Sequence, residues 1–425
     1  MDCNFNSIEI AEGVHFNSII DKRFKTNKIS INFITELKKE TVTSNAIIPF
    51  LLKKGYNGCS DYTIFNQQLE ELYGAYVASY VQKVGDYQVV SLSITSIDDV
   101  YALNNDEITS KTASILCEMA FNPILENGVF PLKDVEIEKT ALIDTIEAEV
   151  NEKRIYAINN LVKVMCSNEP FGISKYGYTE QVALLTPETI KTAYDNLIKH
   201  SRVEIMFTGS GNDKTAIDVF KAKMSSVNRS YQILNPIATH SQLQQTVEQT
   251  DHMTVSQSKM VLGFGNGLEP SSNLITATKL MVALYGGTPS SKLFLNVREK
   301  LSLCYYCAAR YDRFKGIMMV DCGVENQNIE KAKTEILSQL DAIKKGEITD
   351  DEIRNAALSL VNALKSVYDS DASIESWYLG QVLSGTNISP LQEVDKVNNV
   401  TKECIIEAAN RCTLDAVYVL TGKEV

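Results

Sequence analysis

Apolar and polar residues alternate along two well-separated stretches of the chain. In the first, AYVASYVQKV and YQVVSLSI flank a turn at Gly85-Asp86; in the second, SLCYYCAARY and IMMVDCGV flank a turn at residues 313–316. Two alternating runs joined by a short glycine-containing turn predict a β-hairpin. Each hairpin follows a helical stretch, residues 62–72 (then Tyr73-Gly74) and residues 291–300. Each is followed by another, residues 105–119 and 329–343, with apolar positions at i, i+3 and i+4. The same order used twice, alike in pattern and not in identity, indicates a distant internal repeat. The fold class it predicts is α+β: two homologous domains, each an antiparallel sheet with helices packed on one side.

The strand-like run VEIMFTGSG closes the first half, and SKMVLGFGNG opens the second. Between them lies a stretch of little apolar periodicity, with the polar run SQLQQTVEQT and one helical piece at residues 215–225. The expected organisation is a domain over 1–211, a linker with a short helix over 212–255, and a domain over 256–425.

Composition narrows the function classes. The chain has 425 residues, 44% hydrophobic and 22% charged, with a formal charge of −12. That is enough apolar material for a well-developed core. An acidic chain offers no broad basic face to nucleic acid or anionic lipid. The longest apolar stretch near the N-terminus, residues 46–52, is far short of a spanning helix. The start, MDCNFNSIEI, lacks a basic stretch followed by an apolar one, which predicts no secretory signal. Nine cysteines at irregular spacing then read as reduced thiols in the cytoplasm.

Four segments carry a resemblance to the insulinase-type (pitrilysin-like, M16) zinc peptidases: AIIPFLLKKG, LEELYGA, EPFGISKYG followed by LLTPETIKTAYDNLI, and GGTPSSKLFLNVREKLSLCYY. The last, residues 286–306, is the most specific. The wording is most similar to a YfmF-like bacterial branch of that family. The resemblance implies two domains facing one another across a peptide-holding cavity. It also implies a zinc helix of the form HxxEH ending in Lys-Gly, where histidines at i and i+4 bind one metal and the glutamate acts as base.

That motif is absent here. Aligned on Lys54-Gly55, the histidine positions fall on Ala46 and Phe50 and the base on Pro49. The later ligand falls on Thr145, with Asp144 or Ile146 if the register slips by one. A methyl and a phenyl group cannot bind a metal, and a proline inside a helix removes a backbone bond at a cost of about 3 kcal/mol. Pro49 therefore predicts a helix that starts late. The histidines, His15, His200, His240 and His252, include no pair at ligand spacing. They read as ordinary surface or core residues, so the chain is expected to hold no metal and no cofactor of its own.

Other candidates read as structural. Cys304 and Cys307 fall in an apparent strand, where i and i+3 point to opposite faces, so both are expected to be buried structural thiols. Gly286-Gly287 reads as a tight turn opening a helix. Glu136, Glu138, Glu147 and Glu149 read as a solvated acidic face.

The resemblance assigns Arg298 and Tyr305 to the peptide near the metal, with Tyr306 as the alternative outward residue. The expected function is a non-catalytic subunit that pairs with a zinc-bearing paralogue, or with a second copy of itself, to bind and process peptides. The competing readings are a scaffold with peptidase ancestry only, and an enzyme with an unrecognised site.

Overall fold

A computed structural model describes residues 3–422. The first sheet contains β1 (Asn4–Ala11), β2 (Val14–Ile20), β3 (Thr26–Glu36), β4 (Tyr76–Val84), β5 (Tyr87–Ile97) and β6 (Arg202–Gly209), in the order β1-β2-β6-β3-β5-β4. The second contains β7 (Val247–His252), β8 (Ser258–Gly265), β9 (Cys304–Asp312), β10 (Ile317–Val324) and β11 (Thr413–Thr421), in the order β7-β11-β8-β10-β9.

The repeat seen in the pattern is a repeat of topology. The run β2-β6-β3-β5-β4 matches β7-β11-β8-β10-β9 strand for strand. In both, the first pair is parallel and every other pair antiparallel. The α+β class is as expected; the parallel pairs are an addition. They join strands distant in sequence, which local alternation cannot register.

The chain divides into two compact units that are interleaved. The first holds Met1–Glu147, Ile173–Pro236 and Ser370–Gly380; the second holds Ala148–Gly172, Ile237–Asp369 and Gln381–Val425. This differs from the sequential division at 211 and 255. The expected linker contains the helix Asp213–Met224, whose Ala216 and Phe220 are fully buried in the first core, and, at its far end, β7 of the second sheet.

Each exchanged piece carries a helix that covers the second face of a sheet. In the first unit, Ile29, Ile31 and Phe33 of β3 face an apolar core with Ile47 and Ile48. The alternate residues Lys28, Ser30 and Asn32 are buried and polar on the other face. There Glu375 accepts from Ser30 Oγ at 2.9 Å and pairs with Lys28 Nζ at 3.2 Å, and Tyr378 stacks on Phe5 at 4.5 Å. In the second unit the helix Lys153–Met165 packs Ala157, Leu161 and Met165 against Val261, Met319 and Tyr418. Gly263 makes room for it, since a Cβ there would stand 2.7 Å from the Met165 sulfur.

The expected helix at 105–119 runs instead over Ile108–Phe121. Asn104 and Asn105 both take φ of 56°, a left-handed conformation that asparagine tolerates and a helix does not. Among the described residues no helix is long and apolar enough to cross a membrane.

Candidate functional site

The zinc-helix segment forms the helix Val42–Leu52, with Pro49 inside it. The helix does not start late. Ile47, Ile48, Leu51 and Leu52 are buried in the core, each contributing about 1.5–3 kcal/mol. Together they outweigh the bond that proline removes. Ala46 is 0% exposed within the same core, and Pro49 is buried. Phe50 is half-buried and lines a cavity of about 540 Å³ with Lys54, Tyr62, Asp134 and Glu138.

Thr145 is exposed on the helix Leu132–Ala148, where its hydroxyl donates to the Ala141 carbonyl at 2.8 Å. Asp144 is exposed as well, and Ile146 packs on the core. Methyl, pyrrolidine and phenyl groups and a hydroxyl turned into its own helix do not fit a zinc ion. Of the acidic residues on this helix, Glu138 is bound by Lys54 Nζ at 2.9 Å and Glu136 by Lys139 at 3.1 Å. These are structural ion pairs.

The second unit brings Arg298 and Tyr305 together. Arg298 lies in the segment Leu293–Lys300, which has π-helical turns and closes with Leu301 N–H donating to the Asn296 carbonyl at 3.1 Å. Short π segments recur at functional sites. Ser302 then turns the chain with φ of 48° into β9. Gly286 is no simple tight turn: a Cβ there would lie 2.8 Å from Ala309 of β9, so glycine lets helix and strand meet.

The β9–β10 register holds a bulge. Cys304 pairs with Val324, Tyr306 with Gly323, and Cys307 with Cys322, so Tyr305 is the extra residue. A bulge inserts one residue and resets the alternation. Cys304 and Cys307 are therefore both buried on the same apolar side, correcting the opposite faces expected of an unbroken strand.

Tyr305 is left 64% exposed. It lines a cavity of about 410 Å³ with Arg298, Ser302, Cys304, Glu325 and Asn328. Arg298 stacks over the Phe294 ring at 4.6 Å and approaches the exposed Glu299 at 3.5 Å. Tyr306 points away, with the Arg154 guanidinium 4.4 Å from its ring centre and its buried hydroxyl without a partner. Geometry thus puts Tyr305, and not Tyr306, beside Arg298.

A third cluster escaped the sequence reading. His240 is buried with its Nδ1 2.7 Å from Glu169 Oε1 and 3.7 Å from Cys166 Sγ, and its Nε2 3.1 Å from Asp415 Oδ2. Lys315 pairs with the other Glu169 oxygen at 3.0 Å. Burial opposes the His240 charge, but the bonds to Asp415, Cys166 and Glu169 prevail and push it up to about 11. Burial likewise opposes the Glu169 charge, and His240 and Lys315 pull it down to about 2.

Cys166, Glu169 and His240 are the group among the described residues whose atoms lie close enough to share a metal. Yet the histidine donates from both nitrogens, and two carboxylates already face two cations. This arrangement is a neutral ionic knot. Glu169 stood in a segment singled out for its Pro-Phe-Gly loop, but its partners at 240, 315 and 415 are too far along the chain to be paired by spacing. The remaining histidines each have a partner as well: Glu204 for His15, the Ser230 carbonyl for His200 and the Gly422 carbonyl for His252.

Residues 184–360 match the family model described as "Peptidase M16 inactive domain". The chain is 28% identical over 415 residues to "Probable inactive metalloprotease YmfF" of Bacillus subtilis (strain 168), covering 97% of this chain and 96% of that one. An "Uncharacterized zinc protease" of Rickettsia felis is 19% identical over 397 residues, with 91% and 90% covered. Among solved structures, a conserved protein from Enterococcus faecalis V583 superposes with a TM-score of 0.91 at 26% identity over 99% of both chains. The peptidase M16 inactive domain from Pseudomonas fluorescens gives 0.81 at 16%, also over 99% of both, a likeness of fold alone. With no zinc-ligand side chain at positions 46, 50 and 145 and likeness running the length of the chain, the protein is similar to the M16, insulinase-type peptidases, and to relatives described as inactive in particular.

Proposed function

We propose that this chain is the non-catalytic subunit of a cytoplasmic heterodimer, paired with a zinc-bearing paralogue, and that Arg298 and Tyr305 grip a peptide held at the partner's metal. The observation that carries the reading is the shared cavity. Tyr305 is a large aromatic residue left 64% exposed on a bulge. Arg298 beside it has its side chain 42% exposed and, among the described residues, only an exposed Glu299 as ion partner. Exposed pairs of that kind contribute little to stability, so packing gives no strong reason for either residue.

The partner's zinc would supply an activated water and polarise the peptide carbonyl. The guanidinium of Arg298 offers fixed donors to a neighbouring peptide carbonyl. The Tyr305 phenol can donate to the oxyanion that forms on attack, a bond worth about 3 kcal/mol in a transition state. Neither task has a use without a metal, and this chain's own helix positions offer no ligands.

The test is co-expression with a zinc-bearing paralogue and measurement of peptide cleavage and zinc content. The pair should cleave and this chain alone should not. Arg298→Ala and Tyr305→Phe should each lower turnover about 10–100-fold while the complex still assembles. Unchanged turnover in both variants would overturn the reading in favour of a scaffold. Assembly only with a second copy of this chain would overturn the paralogue as partner.

A further inference from the structure

Cys304, Cys307 and Cys322 form a line of thiols that the peptide-binding reading leaves unused. Cys307 and Cys322 are opposite one another in the β9–β10 register, and the three are 7%, 5% and 0% exposed. Cys304 stands at the open end of the line, in the wall of the cavity of about 410 Å³. In an unbroken strand, residues three apart would be roughly 10 Å apart and on opposite faces. Here the bulge sets Cys304 against Val324 and Cys307 against Cys322. The two cysteines therefore span only two residues of β10, about 6.7 Å. That is near the upper end of the ~4.4–6.8 Å over which a disulfide joins two Cα atoms.

The two thiols differ in kind. A hydrogen bond with Cys307 holds the Cys304 thiol below its usual value against the effect of burial, and the charge of Arg298 helps. Cys307 is pushed well above it by its bonds with Cys304 and Cys322 and by burial. A thiol inclined to ionise faces the cavity, and a protonated one stands behind it. Reactivity of cysteine follows the thiolate.

We propose that Cys304 and Cys307 are an oxidant-sensitive pair, in which a peroxide entering the Arg298–Tyr305 cavity oxidises Cys304 and Cys307 closes a disulfide. In the first step the Cys304 sulfur attacks one peroxide oxygen. The O–O bond breaks, an S–O bond forms, and the departing hydroxide takes up the Cys304 proton as water. In the second, the Cys307 sulfur attacks the Cys304 sulfenic acid; the S–O bond breaks, the S–S bond forms, and the Cys307 proton leaves with the hydroxyl as a second water. Two thiols lose two electrons, and one hydrogen peroxide is reduced to two waters. The pair does not depend on peptide binding, but Tyr305 is the residue bulged between the two sulfurs, so closing the bond pins the turn that presents it.

The test treats the full chain with hydrogen peroxide, blocks remaining thiols after denaturation, and maps the peptides without reduction. The expected product is a Cys304–Cys307 disulfide that reductant reverses. In Cys307→Ser, Cys304 should accumulate as a sulfenic acid trapped by a cyclic dione; in Cys304→Ser, Cys307 and Cys322 should stay reduced under the same treatment. A wild-type bond between Cys307 and Cys322, or a Cys304 that stays free while the half-buried Cys3 and Cys404 are oxidised, would overturn the proposal. The wild-type map decides the matter even if a serine variant fails to fold.

Discussion

Two places in this molecule match segments that the resemblance to the M16 peptidases ties to chemistry, and their surroundings are opposite. In the first unit, Ala46 and Pro49 are sealed inside the core, 0% exposed in the case of Ala46. In the second, Arg298 and Tyr305 stand in the open beside a cavity. Where a polar ligand is replaced by an apolar residue on a helix already facing a core, packing absorbs the change and the position becomes part of the stability of the fold. Where side chains stay polar and exposed, packing has not claimed them. Substitutions at the first site should therefore act on folding, and those at the second on binding.

The largest expected effect comes from putting the ligands back. Ala46→His combined with Phe50→His would insert one imidazole into a filled apolar core and set the other in the wall of the cavity of about 540 Å³, the first at a cost of about 3 kcal/mol or more from overpacking and a buried polar group. Denaturant unfolding and elemental analysis would show loss of stability and no stoichiometric zinc. A double variant of unchanged stability carrying one zinc per chain would break the comparison.

The second unit also contains the ionic knot, which sets a limit on calling its polar residues free of structural duty. His240→Ala would leave Asp415, itself 1% exposed, without its partner. Removing one member of a buried pair costs about 3–5 kcal/mol. The pH dependence should have a definite sign. His240 is raised in the folded chain, from 6.5 to about 11, so its contribution is complete below pH 6.5 and is lost as pH rises through about 11. Glu169 is lowered from 4.5 to about 2, so its contribution is complete above pH 4.5 and is lost as pH falls through about 2. The knot is strongest between pH 4.5 and 6.5. Unfolding measured from pH 6.5 to 10 should lose stability in the wild type and lose less in His240→Gln; equal slopes would remove the knot from the account.

The smallest effects separate two neighbours. Tyr306→Phe deletes a buried hydroxyl that has no partner, and should be neutral or stabilising by up to about 1 kcal/mol. Tyr305→Phe deletes an exposed one, and should change stability by less than about 0.5 kcal/mol. Thermal unfolding of both, set against cleavage by the assembled pair, sharpens the comparison: Tyr305→Phe should alter turnover and not stability. A large loss of stability in Tyr305→Phe would show that packing had claimed this site as well.

Alternating apolar residues made both hairpins legible, and the run IMMVDCGV coincides with β10 end to end. The turn at Gly85-Asp86 and the strands on either side of it also stand where the pattern put them. Local signals suffice there because strand period, turn chemistry and burial all act within a few residues. The late start inferred from Pro49 was wrong because propensity is local while the burial of Ile47, Ile48, Leu51 and Leu52 is not. The opposite faces assigned to Cys304 and Cys307 were wrong because a bulge exists only relative to a partner strand, here at Gly323 and Val324.

The sequence by itself determined what this protein lacks and what it resembles. Side chains without donor atoms at positions 46, 49 and 50 cannot bind a metal in any fold, and a signature such as that at 286–306 is read from residue order alone. Only the tertiary structure decided which residues meet. It put Tyr305 rather than Tyr306 beside Arg298, turned Cys304 and Cys307 to one side, and closed Glu169, His240, Lys315 and Asp415 into a single knot. Those outcomes depend on strand register and on pairings between residues far apart in the chain, and neither is a property of any local stretch of sequence.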